Sequence, residues 1–301
     1  SKICIFSPGS LGHHATANII KSISRKVVYI PWSKSKLNID LDKFAKTFKK
    51  EKPEVIFLDL GTAFYPLPIK EIRKIVGENT LIIYDGSHVL GLIAGQKFQN
   101  PLKEGCDILI GNTHKTFPGP QKGMLIFKNA DVGYKVSKEM LNSVVSNQHT
   151  HHAISLYITI LEMEHYGRFY ASQIIKNSNA LFKALSEYGF NILSRNNEQP
   201  ISHMIAITGN FPKGNHHACA LLHECHISTN SKKIFGIDTL RLGVQEITRR
   251  GMKEKEMREI ASFFKEIVLN GNMNIAKTIQ EFNKEFSRVE YSFDDYISLL
   301  K

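Results

Sequence analysis

Residues 111–123 read Gly-Asn-Thr-His-Lys-Thr-Phe-Pro-Gly-Pro-Gln-Lys-Gly, so Lys115 stands between a histidine and a threonine, just ahead of a rigid Pro-Gly-Pro turn. A solvated surface lysine needs no such setting. An amine that must attack a carbonyl and form a Schiff base does. Asp85-Gly86-Ser87-His88, earlier in the chain, supplies a carboxylate suited to pairing with a protonated ring nitrogen, and the glycine lets backbone come close to a ligand. Arg241, in Thr-Leu-Arg-Leu-Gly, has the planar fork that clamps a carboxylate through two parallel hydrogen bonds. His13, in Gly-His-His, offers a flat ring able to cover another ring. Taken singly, these are a common turn, a surface lysine, a salt-bridge arginine and a helix-start residue. Their joint occurrence in this order gives them weight.

The elements that must position them alternate. Apolar runs at Ile3–Phe6, Val27–Ile30, Val55–Leu58, Leu81–Tyr84, Ile108–Ile110 and Met124–Phe127 read as strands. Helical patterns lie between several of them, at His14–Ser24, Leu41–Lys50 and Ile69–Val76. Strands alternating with helices predict an α/β domain, here residues 1–160, around a mostly parallel sheet covered on both faces. Such sheets gather ligands beyond the carboxyl ends of their strands. Asp85–His88 and Asn112–Lys115 each follow a strand and are expected to face one pocket. From His152 a long helical stretch runs to about Glu187, with a break expected near Tyr166-Gly167. A strand (His203–Ile207), a helix (His216–Cys225), the short Arg241–Val244 segment and a helix (Glu254–Leu269) then predict a smaller α+β domain over 161–301. Residues 271–301 read as its helical tail.

A chain of 301 residues, 42% hydrophobic and 22% charged, fits two folded domains. No apolar run approaches the roughly 20 residues that span a bilayer, and no signal peptide is apparent. Cys4, Cys106, Cys219 and Cys225 form no CxxC pair, which points to a reducing cytoplasm. The net charge of +11 raises nucleic acid as a partner, yet the lysines are spread along the chain and interleaved with acids, as in Lys253-Glu254-Lys255-Glu256. Attraction of anionic ligands is the milder use of that charge. His216, Cys219 and His223 would share one helix face, but they read as incidental polar residues, and no metal is expected.

The resemblance to a known family rests on two stretches. Residues 84–121, from Tyr-Asp-Gly-Ser-His to Thr-His-Lys-Thr-Phe-Pro-Gly-Pro-Gln, resemble serine hydroxymethyltransferase, especially the archaeal-type sequences. Residues 240–252, Leu-Arg-Leu-Gly-Val-Gln-Glu-Ile-Thr-Arg-Arg-Gly-Met, resemble its substrate-arginine segment. The resemblance implies a fold-type-I pyridoxal phosphate transferase with the cofactor joined to Lys115. It makes Asp85 the partner of the pyridine nitrogen, His88 a contact on the phenolic-oxygen side and His114 the histidine beside the catalytic lysine. Gly12-His13 resembles the pair whose histidine stacks on the cofactor ring, with His14 as the adjacent alternative. Thr62 is a further cofactor contact and Arg241 the clamp on the substrate carboxylate.

The implied reaction is retro-aldol cleavage of serine to glycine, the one-carbon unit passing to tetrahydrofolate or tetrahydromethanopterin. An aldolase or transaldolase using another aldehyde shares every residue named, and a non-catalytic subunit stabilising an active homologue is the alternative of a different class. Three departures stand out. Asn112 replaces a hydroxyl residue, Lys122 replaces a glycine after the Gly-Pro turn, and the family's N-terminal segment has no counterpart. That segment would carry a phosphate-binding loop and the acid/base glutamate. The expectation is therefore a homo- or hetero-oligomer, with a complementary chain supplying the missing part. Residues 146–152, Ser-Asn-Gln-His-Thr-His-His, resemble the segment that reaches the neighbouring subunit's cofactor phosphate.

Overall fold

The computed structural model describes residues 1–209, 211 and 213–293. Two compact units divide the chain, Ser1–His165 and Tyr166–Lys301.

In the first unit the chain runs β1 (Lys2–Ile5), α1 (Thr16–Ser22), β2 (Lys26–Tyr29), a small hairpin of β3 (Trp32–Ser33) and β4 (Asn38–Ile39), α2 (Leu41–Glu51), β5 (Val55–Asp59), α3 (Ile69–Val76) and β6 (Leu81–Asp85). It continues through α4 (Leu90–Ala94), α5 (Pro101–Glu104), β7 (Ile108–His114), β8 (Pro118–Phe127) and α6 (Ala130–Ser143), and α7 (Thr150–Glu187) starts in this unit and ends in the second. The sheet order is β2-β1-β5-β6-β7-β8. All neighbours pair in parallel except β7 and β8, which form an antiparallel pair whose register shifts between Asn112 and His114.

The mostly parallel α/β architecture read from the sequence is the one observed. Ile5, Ile56, Leu58, Ile82 and Tyr84 are buried, as strands in a covered parallel sheet must be. Cys4 and Cys106 are buried in the same unit. At the amino end of β7, Arg73 pairs with Asp107 at 2.6 Å and donates to Gly105 O, while Asp107 Oδ2 also accepts from Ile82 N. This ties α3 to both β6 and β7 and fixes the relative register of the two strands that carry Asp85 and Lys115.

Among the described residues, the second unit contains β9 (Asn191–Ile192), β10 (Met204–Thr208), α8 (Asn215–Glu224), β11 (Asn230–Ile234), β12 (Ile237–Gly243), α9 (Gln245–Arg249) and α10 (Glu254–Phe264). The four strands form an antiparallel sheet in the order β11-β12-β10-β9. A π-helical turn, Lys265–Leu269, extends α10, so the helix expected to Leu269 changes its hydrogen bonding near its end.

Three local expectations need correction. α7 is a single helix through Tyr166-Gly167 with no break, because Met163, Tyr170, Ala171 and Ile174 keep a buried stripe on both sides of the glycine. The Arg241–Val244 segment is the end of a longer strand, β12, which pairs with β11, a strand the sequence reading missed. Of the expected helical tail, a short 3-10 turn at Met273–Ile275 and α11 (Ala276–Lys284) are formed, and 294–301 lie outside the described residues.

Candidate active site

Parallel strands of similar length deliver their carboxyl ends to one edge. Asp85 is the last residue of β6, and Lys115 directly follows β7. The intervening turn is short and tightly bonded. Ser87 N–H donates to Asp85 Oδ1 at 2.9 Å, and Val89 N–H donates to Gly86 O at 2.8 Å. Gly86 N–H reaches Ile110 O at 2.8 Å, while buried Ser87 Oγ accepts from Asn112 N–H at 3.0 Å. Two links thus run from the Asp85 turn to β7. Asn112 contributes through its backbone, so the loss of a hydroxyl side chain at that position does not break them.

The lysine turn is held from the other side. Gly91 N–H donates to Thr116 Oγ1 at 3.0 Å, and a Cβ at position 91 would lie 2.2 Å from Thr116 O. Only a glycine lets α4 sit this close to the turn. Thr113 Oγ1 donates to Pro120 O at 2.6 Å and sits 3.1 Å from Lys122 O, closing the Pro-Gly-Pro segment over the bulge. Thr113 and Thr116 have no exposed surface.

Within this frame Lys115 Nζ lies 3.3 Å from His88 Nε2. Donation from the amine requires the imidazole tautomer with Nε2 unprotonated. Lys115, His88 and Asp85 are all half-buried, accessible to a ligand yet partly shielded from water. His114 closes β7 with an exposed side chain. Thr62, on the loop after β5, is fully buried, and its N–H donates to Leu11 O at 3.2 Å. Gly12 forms a bridge with Leu60, and His13 and His14 are exposed with ring centroids 4.4 Å apart.

Arg241 belongs to the second unit. It lies on β12 opposite Ala206 of β10 and Asn230 of β11, and burial pulls its guanidinium below the usual arginine range. The structure therefore gathers the Asp85, His88 and Lys115 signals at one strand edge and keeps Arg241 on a separate framework. Asp59 was missed. It ends β5 in register with Asp85, is fully buried, and its carboxyl is pushed up to about 7 by burial against the opposing pull of the Phe6, His13 and Thr16 donors. The signal was present, since Val-Ile-Phe-Leu-Asp and Leu-Ile-Ile-Tyr-Asp are the same strand-then-acid pattern.

The candidate metal face on α8 does not assemble. Cys219 Sγ interacts instead with Thr229, and no group of three metal-ligating side chains occurs among the described residues. No helix among those residues is long and apolar enough to cross a membrane. All four cysteines are free.

Residues 5–264 match the serine hydroxymethyltransferase family. The chain belongs to that family. Serine hydroxymethyltransferase of Methanocella arvoryzae is 37% identical, the match covering 97% of this chain and 72% of the relative. The enzyme of Pyrococcus furiosus is 38% identical over 88% of this chain and 66% of its own length, and that of Methanocaldococcus jannaschii is 39% identical over 90% and 66%. A crystal structure of L-threonine transaldolase from Pseudomonas fluorescens, in its internal aldimine state, superposes with a TM-score of 0.93 at 30% identity, covering 98% of this chain and 70% of that one.

The fold is that of a pyridoxal phosphate-dependent transferase, and pyridoxal phosphate is the cofactor that serine hydroxymethyltransferase membership assigns. The donor set fits it. An amine, an imidazole and a carboxylate converge at one strand edge, which is the chemistry needed for an aldehyde, its neighbouring phenolic oxygen and a pyridinium nitrogen.

Proposed function

We propose that the chain carries out the reaction of a serine hydroxymethyltransferase, cleaving serine to glycine and passing the one-carbon unit to a tetrahydropterin. The observation that carries this reading is the Lys115–His88 pair at 3.3 Å beside the end of β6. When bound, pyridoxal phosphate supplies an electron sink for the pair left at the amino acid's α-carbon. The protein's residues do the rest. Lys115 Nζ holds the cofactor. An ammonium is no nucleophile, so the amine must first lose a proton, and His88 Nε2 stands within reach to accept it.

Asp85 has one carboxylate oxygen occupied by Ser87 N–H and the other available to hold a proton on the ring nitrogen. His13 covers the ring face and Thr62 adds a contact beyond β5. His114 flanks the lysine. Arg241 binds the substrate carboxylate, its partial burial strengthening the ion pair by excluding water.

An oligomer is part of the same reading. α6 buries none of its residues, and Tyr134, Leu141 and Val144 are exposed, as are Leu125 on β8 and Tyr157 on α7. So much apolar surface supports a second polypeptide covering this face, either another copy or a chain carrying the family's phosphate-binding segment. The decisive experiment incubates the purified chain with pyridoxal phosphate, serine and a tetrahydropterin. Glycine formation supports the reading, and borohydride reduction with peptide mapping must locate the pyridoxyl group on Lys115. The likeness to a threonine transaldolase favours one second reading. Transfer of the glycyl unit from the donor amino acid to an added aldehyde, giving a new β-hydroxy amino acid and the released aldehyde without a pterin, selects it.

A further inference from the structure

The loop carrying His13 is held with unusual economy of space. β1 ends at Ile5, and the next amide, Phe6 N–H, donates to Asp59 Oδ1 at 2.9 Å. His13 N–H is shared between the backbone oxygen of Asp59 at 3.2 Å and its Oδ2 at 3.3 Å. The Thr16 hydroxyl bonds to the same carboxylate. One side chain therefore ties the end of β1, the loop and the first turn of α1 to the end of β5.

Glycines make this approach feasible. A Cβ at Gly12 would lie 2.6 Å from Phe6 O, and one at Gly61 would lie 2.8 Å from Gly12 O. Leu11 O accepts from both Gly61 N–H at 2.7 Å and Thr62 N–H at 3.2 Å. Beyond these anchors Ala15 N–H lies 3.4 Å from His13 Nδ1, which orients the ring. A strand end that served only the core would carry an apolar side chain here, because a buried carboxylate must be matched by donors to be tolerated. Apart from its own amide, the donors this one finds lie on the segment that leads to and follows His13.

We propose that Asp59 is a positioning residue, which holds the Gly12–His13 shelf in place before the cofactor arrives. The proposal rests on the reading of His13 as the residue that covers the cofactor ring. Asp59 itself touches no cofactor. It acts through His13 by fixing that residue's backbone, so that binding does not have to order the loop.

Hydrogen exchange on the full chain without cofactor tests the shelf directly. In Asp59→Asn, one oxygen becomes an amide that cannot accept from His13 N–H. Peptides covering residues 10–16 should then exchange about tenfold faster or more, while β5 and β6 keep their protection. Pyridoxal phosphate affinity, titrated by absorbance, should fall by a similar factor. His13→Ala should lower that affinity without accelerating exchange in the shelf. Thr16→Val, which deletes one donor and keeps the carboxylate, should show the same pattern as Asp59→Asn at smaller size and serves if the first variant fails to fold. Unchanged exchange in residues 10–16 in both Asp59→Asn and Thr16→Val overturns the proposal. Faster exchange with unchanged cofactor affinity overturns its link to the cofactor. An inert His13→Ala alongside a loosened, weakly binding Asp59→Asn removes His13 from the ring face and leaves the shelf standing.

Discussion

β5 and β6 are neighbouring parallel strands that both end in aspartate, and Asp59 and Asp85 are register partners. Sequence, strand position and residue type are shared, yet the surroundings differ. Asp59 is fully buried and accepts from two backbone amides of other segments. Asp85 is half-buried and accepts from Ser87 N–H of its own turn. Asp59 spends its hydrogen bonds on other segments of the fold, while Asp85 accepts within its own turn, so environment sets two like acids apart.

The comparison can be broken most sharply at the chemical end. Lys115→Ala should abolish covalent cofactor attachment and lower serine cleavage by about a thousandfold or more, read by single-turnover glycine formation. Asp85→Asn should leave the fold and its melting temperature nearly unchanged and still lower turnover by about a hundredfold or more. The equivalent Asp59→Asn should reverse that pattern, with a clear loss of protection in residues 10–16 and a smaller loss of turnover per bound cofactor. Equal kinetic losses in the two variants would erase the distinction between them.

Arg241 extends the comparison to a buried cation in the second unit. Arg241→Lys should preserve cofactor binding and weaken serine binding, measured by spectral titration, by on the order of 2 kcal/mol or more, since an ammonium cannot reproduce the bidentate fork. A further effect concerns pH. Burial pushes the Asp59 carboxyl up to about 7 in the fold, against 3.8 for an ordinary solvated aspartate such as the unfolded chain exposes. Between those values the folded state binds the extra proton, so its contribution to stability falls as pH rises from about 4 to about 7 and is flat above. The Phe6 and His13 amides, Thr16 and Cys4 face this carboxyl, and Cys4, itself pushed up to about 12, stays neutral throughout the window. Urea unfolding from pH 4.5 to 7.5 should show this slope, roughly 1 kcal/mol per pH unit, in the wild type and not in Asp59→Asn.

Much of this was legible in the sequence where the chain obeys a period. Five of the six strands of the first sheet start within a residue of an expected apolar run, whereas β8 starts at Pro118, six residues ahead of Met124, so the Pro-Gly-Pro expected as a turn is strand. Asp85 stood out because Gly-Ser-His follows it and signals a turn. Asp59 is followed by Leu-Gly-Thr, which gives no such cue, and its importance comes from amides more than forty residues away in sequence. α6 carries Val132, Val136 and Met140 at helical spacing, so a helix was legible there, yet the sequence reading missed it. β11 was missed because Asn-Ser-Lys-Lys-Ile is polar and owes its extension to pairing with β12. The break expected at Gly167 did not occur. A glycine costs a helix only about 1 kcal/mol, which the packed residues on either side outweigh.

The two buried thiols of the first unit have a use in kinetics. Burial pushes both Cys4, in β1, and Cys106, just ahead of β7, up to about 12, so neither presents a thiolate to an external reagent while the sheet is closed. Alkylation at either position must wait for the surrounding strands to open. Cys4 sits on β1 by the His13 shelf, and Cys106 sits beside the Arg73–Asp107 pair at the amino end of β7. Their separate labelling rates therefore clock the two places independently, and reveal whether the shelf unlatches before the Arg73–Asp107 pair does.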